Sequence, residues 1–109
     1  MNTINEQKIV QDLSFEFPEK VYYLIHNPSN CCFDDIRGMM AITESREDFE
    51  KFFSLSINKK VYGDECSIHQ VTFDVAIQIA KLNRCRLICL VKFNYELKQL
   101  KLIKEMQIV

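Results

Sequence analysis

The chain has 109 residues, of which 48% are hydrophobic, and it contains only two glycines and two prolines. This is the size of one domain with one apolar core, so we predict a single globular domain over residues 1–109. The formal net charge of −1 and the 27% share of charged residues exclude the composition of a disordered chain or of a dedicated polyanion-binding protein.

The N-terminal ten residues lack the basic start and the continuous apolar stretch of a secretory signal. The longest apolar runs, residues 21–25 and 87–91, are far shorter than the roughly 20 residues that a membrane-spanning helix needs. Five cysteines at irregular spacing are typical of reduced thiols rather than of a secreted disulfide framework. We therefore expect a cytoplasmic protein without a membrane segment.

The first half of the chain predicts two strands separated by a loop. Residues 1–17 show a loose helical spacing of apolar residues, which predicts a helix or a partly ordered arm. Lys20–His26 is rich in β-branched and aromatic residues and predicts a strand that is buried on both faces. Residues 27–35 (NPSNCCFDD) are turn formers and predict a loop. Residues 36–43 then predict a second strand, antiparallel to the first because the connection is short.

The second half of the chain predicts two helices and a hairpin. Ser45 and Asp48 have the spacing of a capping box, which predicts the start of a helix. A second helix is predicted by apolar residues that recur at helical spacing, namely Val71, Val75, Ile79 and Leu82. Residues 86–93 predict a buried strand, and residues 97–106 predict its hairpin partner.

The resulting element order is an optional N-terminal helix followed by ββααββ. A separation of hairpins from helices is typical of an α+β domain. We predict a small single domain with a mostly antiparallel sheet of about four strands and with the helices packed on one face.

Histidine and cysteine side chains are the candidates for a metal or catalytic site: His26, Cys31, Cys32, Cys66 and His69. Only Cys66 and His69 have the spacing of a zinc half-site, so we predict no metal. The two glycines form no phosphate-binding motif, and no cofactor is expected. The alternative function is a small cysteine-dependent or metal-assisted hydrolase that uses residues 26–35 together with Cys66 and His69.

Charge is unevenly distributed along the chain. Residues 1–80 contain 7 basic and 13 acidic side chains, whereas residues 81–109 contain 7 basic and 2 acidic ones. The lysines near the C-terminus fall at positions that alternate between the faces of a strand, so they predict no continuous basic patch. Nucleic acid is therefore not the expected partner.

Six acidic side chains within 17 residues predict one acidic face: Asp34, Asp35, Glu44, Glu47, Asp48 and Glu50. Phe33, in the predicted loop, gives this face an apolar anchor. Such a face suits a partner protein with a basic surface, because opposite charge steers association and an aromatic anchor adds affinity. The plainer interpretation is an ordinary solvated surface.

Our leading hypothesis is a small cytosolic protein-binding module, in particular an inhibitor of the immunity-protein or antitoxin kind. Such a protein blocks the basic active site of a toxin nuclease by covering it. The chain itself is expected to be a monomer or a weak homodimer, and it is expected not to be an enzyme.

Overall fold

The computed structural model of the protein describes residues 17–27, 31–32, 38–55 and 66–108. Residues 31–32 are described for their backbone alone. The predicted N-terminal helix or arm lies outside the described residues apart from Phe17, and the predicted site residues Phe33, Asp34 and Asp35 lie outside them as well.

The described residues form six strands and two helices, which are, in chain order, β1 Lys20–His26, β2 Cys31–Cys32, β3 Met39–Thr43, α1 Arg46–Ser54, β4 Cys66–Thr72, α2 Phe73–Leu82, β5 Leu87–Asn94 and β6 Gln99–Gln107. The protein is a small α+β domain with a mostly antiparallel sheet, as predicted. The predicted order ββααββ with about four strands is wrong, because β2 and β4 are additional strands and β4 separates the two helices.

The sheet is built around β1, which has neighbours on both edges. One edge pairs antiparallel with β4 along its full length, from Lys20 opposite Thr72 to His26 opposite Cys66. The other edge pairs antiparallel with β3 and, nearer its end, with β2. The β1–β3 pairing confirms the predicted arrangement of the first two strands. β3 pairs in parallel with β5, and β5 pairs antiparallel with β6.

β5 and β6 form the predicted hairpin, and its turn occupies residues 95–98. Between Leu90 and Val91 the pairing register shifts by one residue, which leaves Ile103 on β6 without a partner on β5. An unpaired residue of this kind is a β-bulge, which bends the strand and changes the direction of a side chain.

The two helices pack on opposite faces of the sheet, so the prediction that both cover one face is wrong. The α2 face holds the larger buried cluster, which includes Val21, Met40, Ile42, Ile88, Phe73, Ala76 and Ala80. On the other face, α1 buries Phe49 against Leu24 and Ala41. Adjacent residues of β1 and β3 belong to different clusters because side chains alternate along a strand. The central strands are therefore buried on both faces.

The buried face of α2 differs from the one that the sequence predicts. It is formed by Phe73, Ala76 and Ala80. Val71 lies in β4, and the predicted apolar positions Val75 and Leu82 are 40% and 83% exposed. Thr72 ends β4 and also caps α2, since its hydroxyl accepts a hydrogen bond from the Val75 N–H at 3.3 Å. Because α2 follows β4 directly, the apolar residues of the strand and those of the helix form one continuous helical pattern in the sequence.

Candidate functional site

A groove of about 560 Å³ opens where α1 begins beside the β5–β6 hairpin. Its lining combines acidic, polar, apolar and basic residues: Glu44, Ser45, Asp48, Leu90, Val91, Lys92 and Ile103. We call this the acidic groove. Three of its residues come from the acidic segment that the sequence singled out, and the other four come from the hairpin.

The start of α1 forms the acidic wall of the groove. Ser45 is the N-cap residue, and its Oγ accepts a hydrogen bond from the Glu47 N–H at 3.3 Å, as the predicted helix start requires. Glu44 and Glu47 are exposed, so their carboxylates lie in solvent. Among the described members of the predicted acidic face, these two have carboxylates that are available to a partner.

Asp48 is a buried structural acid, only 9% exposed. Its Oδ1 accepts a hydrogen bond from the Phe93 N–H at 3.1 Å. Strand β3 pairs with β5 only as far as Leu90, whereas β5 continues to Asn94. Beyond Leu90 the Asp48 carboxylate therefore takes the place of the β3 backbone as hydrogen-bond partner of β5. The predicted capping box is confirmed for Ser45, which caps the helix. It is wrong for the Asp48 side chain, which accepts its hydrogen bond from β5.

Glu50 belongs to an exposed ion pair. Its Oε1 lies 3.0 Å from Nε of Arg46, and both side chains are about half exposed, at 55% and 54%. Arg46 therefore compensates much of the Glu50 charge, since an i,i+4 pair of opposite sign lies on one face of the helix. Of the six predicted acids, Glu44 and Glu47 are exposed, Asp48 is buried, Glu50 is paired with Arg46, and Asp34 and Asp35 lie outside the described residues.

The hairpin supplies the apolar floor of the groove. Val91 comes from β5, and Ile103 comes from the bulge of β6. Leu90 also borders the groove, but its side chain packs in the cluster under α2. Ile103 is 49% exposed, which is unusual for an isoleucine within a strand because this side chain normally packs in the core. Lys92 adds one basic side chain to the lining. The groove therefore joins an acidic wall to an apolar surface.

Cys66 and His69, the candidates for a zinc half-site or for the alternative hydrolase, lie on opposite faces of the sheet. Cys66 packs with the cluster under α1. The His69 ring, in contrast, lies 5.6 Å from the ring of Tyr23, which belongs to the cluster under α2. Residues three apart in a strand project to opposite faces of the sheet. The residue that lies opposite Cys66 on β1 is His26, so these two share a face.

The structure contains a polar cluster at the edge of the sheet that was not predicted from the sequence. The Ser67 hydroxyl lies 2.8 Å from Nε2 of His69 and 2.9 Å from Oδ1 of Asn27. The Ser-x-His spacing places both side chains on one face of a strand, but this signal is visible only once residues 66–72 are known to be a strand. The hydroxyl donates to Asn27 and is bonded to the ring of His69, which ties the end of β1 to β4.

Among the described residues, no group of three or more histidine, cysteine or acidic side chains is arranged to hold a metal ion. Neither described helix is long and apolar enough to cross a membrane.

Comparison of the chain with protein-family models, with curated proteins and with solved structures finds no match. The functional interpretation therefore depends on the geometry of the chain itself.

Proposed function

We propose that the chain is a protein-binding module and that its acidic groove receives a basic side chain of the partner. One observation carries the proposal: the exposed acid Glu44 and the exposed apolar residue Ile103 line the same groove. Arginine and lysine side chains match this lining, because each has an apolar stem and a positively charged head.

The stem of such a side chain packs on Val91 and Ile103, and its head reaches Glu44 at the acidic wall. Arginine suits this position better than lysine, since its planar guanidinium forms two parallel hydrogen bonds with a carboxylate. Glu47 adds long-range attraction from the first turn of α1. The groove thus supports recognition of a basic partner by contact as well as by charge.

In its finer form, the proposal makes the chain an inhibitor of the immunity-protein or antitoxin kind that acts in the cytoplasm. An enzyme that cuts nucleic acid has a basic active site, because its substrate is a polyanion. An acidic module that docks over this site blocks it sterically and associates rapidly through opposite charge.

The proposal is tested by capture of partners from the cells in which the chain occurs. The tagged wild type is compared with the double variant Glu44→Lys/Glu47→Lys. Both are tested at about 0.1 M salt, where electrostatic attraction acts over a longer range, and at about 1 M salt, where it is screened. The matched control is Glu19→Lys/Glu96→Lys, which makes the same change of charge at exposed positions outside the groove.

We expect the wild type and the control to retain a basic protein at low salt, and the groove variant to lose it. Retention of the same protein by all three would contradict the assignment of the groove. An activity assay of the retained protein then separates an inhibitor from an adaptor, since only an inhibitor reduces nuclease activity.

A second candidate function is a cysteine-dependent hydrolase in which His26 activates Cys66. The observation that favours it is the position of these two residues directly opposite each other on β1 and β4. A His–Cys pair on one face is the minimum arrangement for thiolate activation. Hydrolysis of p-nitrophenyl acetate that is lost in Cys66→Ser and kept in Cys89→Ser would support it, and equal rates in all three proteins would exclude it.

A further inference from the structure

Helix α2 has a second apolar stripe, of which only the middle residue contacts the core. Its core face is formed by Phe73, Ala76 and Ala80. Val75, Ile79 and Leu82 recur at positions i, i+4 and i+7 and form a stripe about a third of a turn away. Leu82 is 83% exposed and Val75 is 40% exposed, while Ile79 is half-buried at the margin of the core.

The charged residues around this stripe separate by sign along the helix. The acidic end has Glu19, which precedes β1, and Asp74 in the first turn of α2. The basic end has Lys81 in the last turn, followed by Arg84 and Arg86. All five side chains are exposed. One side of the domain therefore presents an apolar stripe with an acidic end and a basic end.

We propose that this side of the domain binds a second copy of the chain, with the two α2 helices packed antiparallel around a two-fold axis. A two-fold arrangement presents the same surface on both subunits. It brings the acidic end of each helix to the basic end of the other, so that Asp74 lies opposite Lys81 of the second copy. A parallel arrangement would instead place like charges together.

The same axis also brings the apolar residues together. In an antiparallel pair centred near Gln78, Val75 of one copy lies beside Leu82 of the other. The helix dipoles are also antiparallel, which is the favourable orientation for neighbouring helices. Charge and apolar contacts thus select one arrangement.

The interface is limited to one helix of 10 residues and its flanking side chains. Interfaces of this small size form weak complexes. The groove at α1 lies on the opposite face of the sheet, so a dimer formed through α2 leaves both acidic grooves accessible. Self-association and partner binding are therefore independent properties of the chain.

Sedimentation velocity of the full chain tests this proposal, at low salt and from about 10 μM to about 1 mM, the range in which weak complexes dissociate. We expect a reversible dimer in the wild type. Leu82→Lys is expected to raise the dissociation constant at least about tenfold, because it replaces the apolar contact with Val75 of the other copy by a charged side chain. The control Leu97→Lys changes a leucine that is 62% exposed in the hairpin turn and is expected to leave the dimer unchanged.

A charge test determines the orientation of the two helices. Asp74→Lys and Lys81→Asp each place like charges opposite each other in a homodimer, so each variant alone is expected to be monomeric. An equimolar mixture of the two variants restores both opposite-charge contacts and is expected to dimerise. Circular dichroism of each variant confirms that α2 is still folded.

Three results would overturn the proposal. The first is a wild type that remains monomeric over the whole concentration range. The second is a dimer that is unaffected by Leu82→Lys, since another surface would then form it. The third is a mixture of charge variants that stays monomeric while the wild type dimerises.

Discussion

Replacement of Asp48 by alanine is the change that tests the structure of the groove wall most sharply. The Asp48 carboxylate is the acceptor for the Phe93 N–H, at 3.1 Å, and the side chain is 9% exposed. Loss of a hydrogen bond to a charged, buried acceptor costs about 1.5–3 kcal/mol. The alanine variant also loses a negative charge in the first turn of α1, which costs about 0.3–1 kcal/mol.

We therefore expect Asp48→Ala to lower the free energy of unfolding by about 2–3 kcal/mol, allowing for incomplete additivity of the two effects. Asp48→Asn keeps an amide oxygen that can accept from Phe93, so its loss should be limited to about 1 kcal/mol. Urea denaturation at 25 °C measures both values. Glu47→Ala is the matched control, because Glu47 is exposed in the same turn and should cost about 0.5 kcal/mol or less.

Amide hydrogen exchange gives a local test of the same bond. The Phe93 amide should exchange faster in Asp48→Ala than in the wild type and should remain protected in Asp48→Asn. Unfolding free energies within about 0.5 kcal/mol of the wild type for both variants, which is the effect of an ordinary surface substitution, would show that the Asp48–Phe93 hydrogen bond does not stabilise the domain. So would equal protection of Phe93 in all three proteins.

Three further changes have defined expectations. Ser45→Ala removes the N-cap acceptor of α1 and should cost about 1 kcal/mol in urea denaturation, whereas no change would show that the cap is dispensable. Phe49→Ala empties a fully buried position and should cost about 3–5 kcal/mol, and a loss below about 1 kcal/mol would contradict its place in the core. Glu50→Gln breaks the exposed pair with Arg46 and should cost at most about 0.5 kcal/mol, a difference that salt should reduce.

Several elements could be predicted from the sequence because their signal is local. Lys20–His26 and Leu87–Asn94 are dense in β-branched and aromatic residues, and both are strands. The helix that begins after Ser45 follows from the cap residue and the acids beside it. In these segments the residues that determine the element lie within it, so neighbouring structure is not needed to identify it.

The strand Cys66–Thr72 could not be recognised in the same way. Its polar and apolar residues alternate weakly, and Val71 matches the helical spacing that continues through Val75. No glycine or proline separates the strand from α2, because Thr72 serves both elements. The positions of the helices on opposite faces depend on this missed strand, since it is β4 that follows α1 and precedes α2.

The groove could be predicted only in its acidic half. Glu44 and Glu47 are exposed as the charge pattern indicates, but the burial of Asp48 depends on how far β5 extends beyond β3. Ile103 enters the groove at a bulge in the hairpin register. Both features arise from pairings between distant segments, and no local pattern contains them.

Site-specific photo-crosslinking tests directly the claim that a partner binds in the acidic groove. A benzophenone side chain replaces Ile103 inside the groove or, as a control, Leu97 in the hairpin turn. We predict that the probe at position 103 crosslinks one basic protein, that Glu44→Lys abolishes the adduct, and that position 97 gives none. No adduct at position 103, or the same adduct from both positions, would contradict the claim.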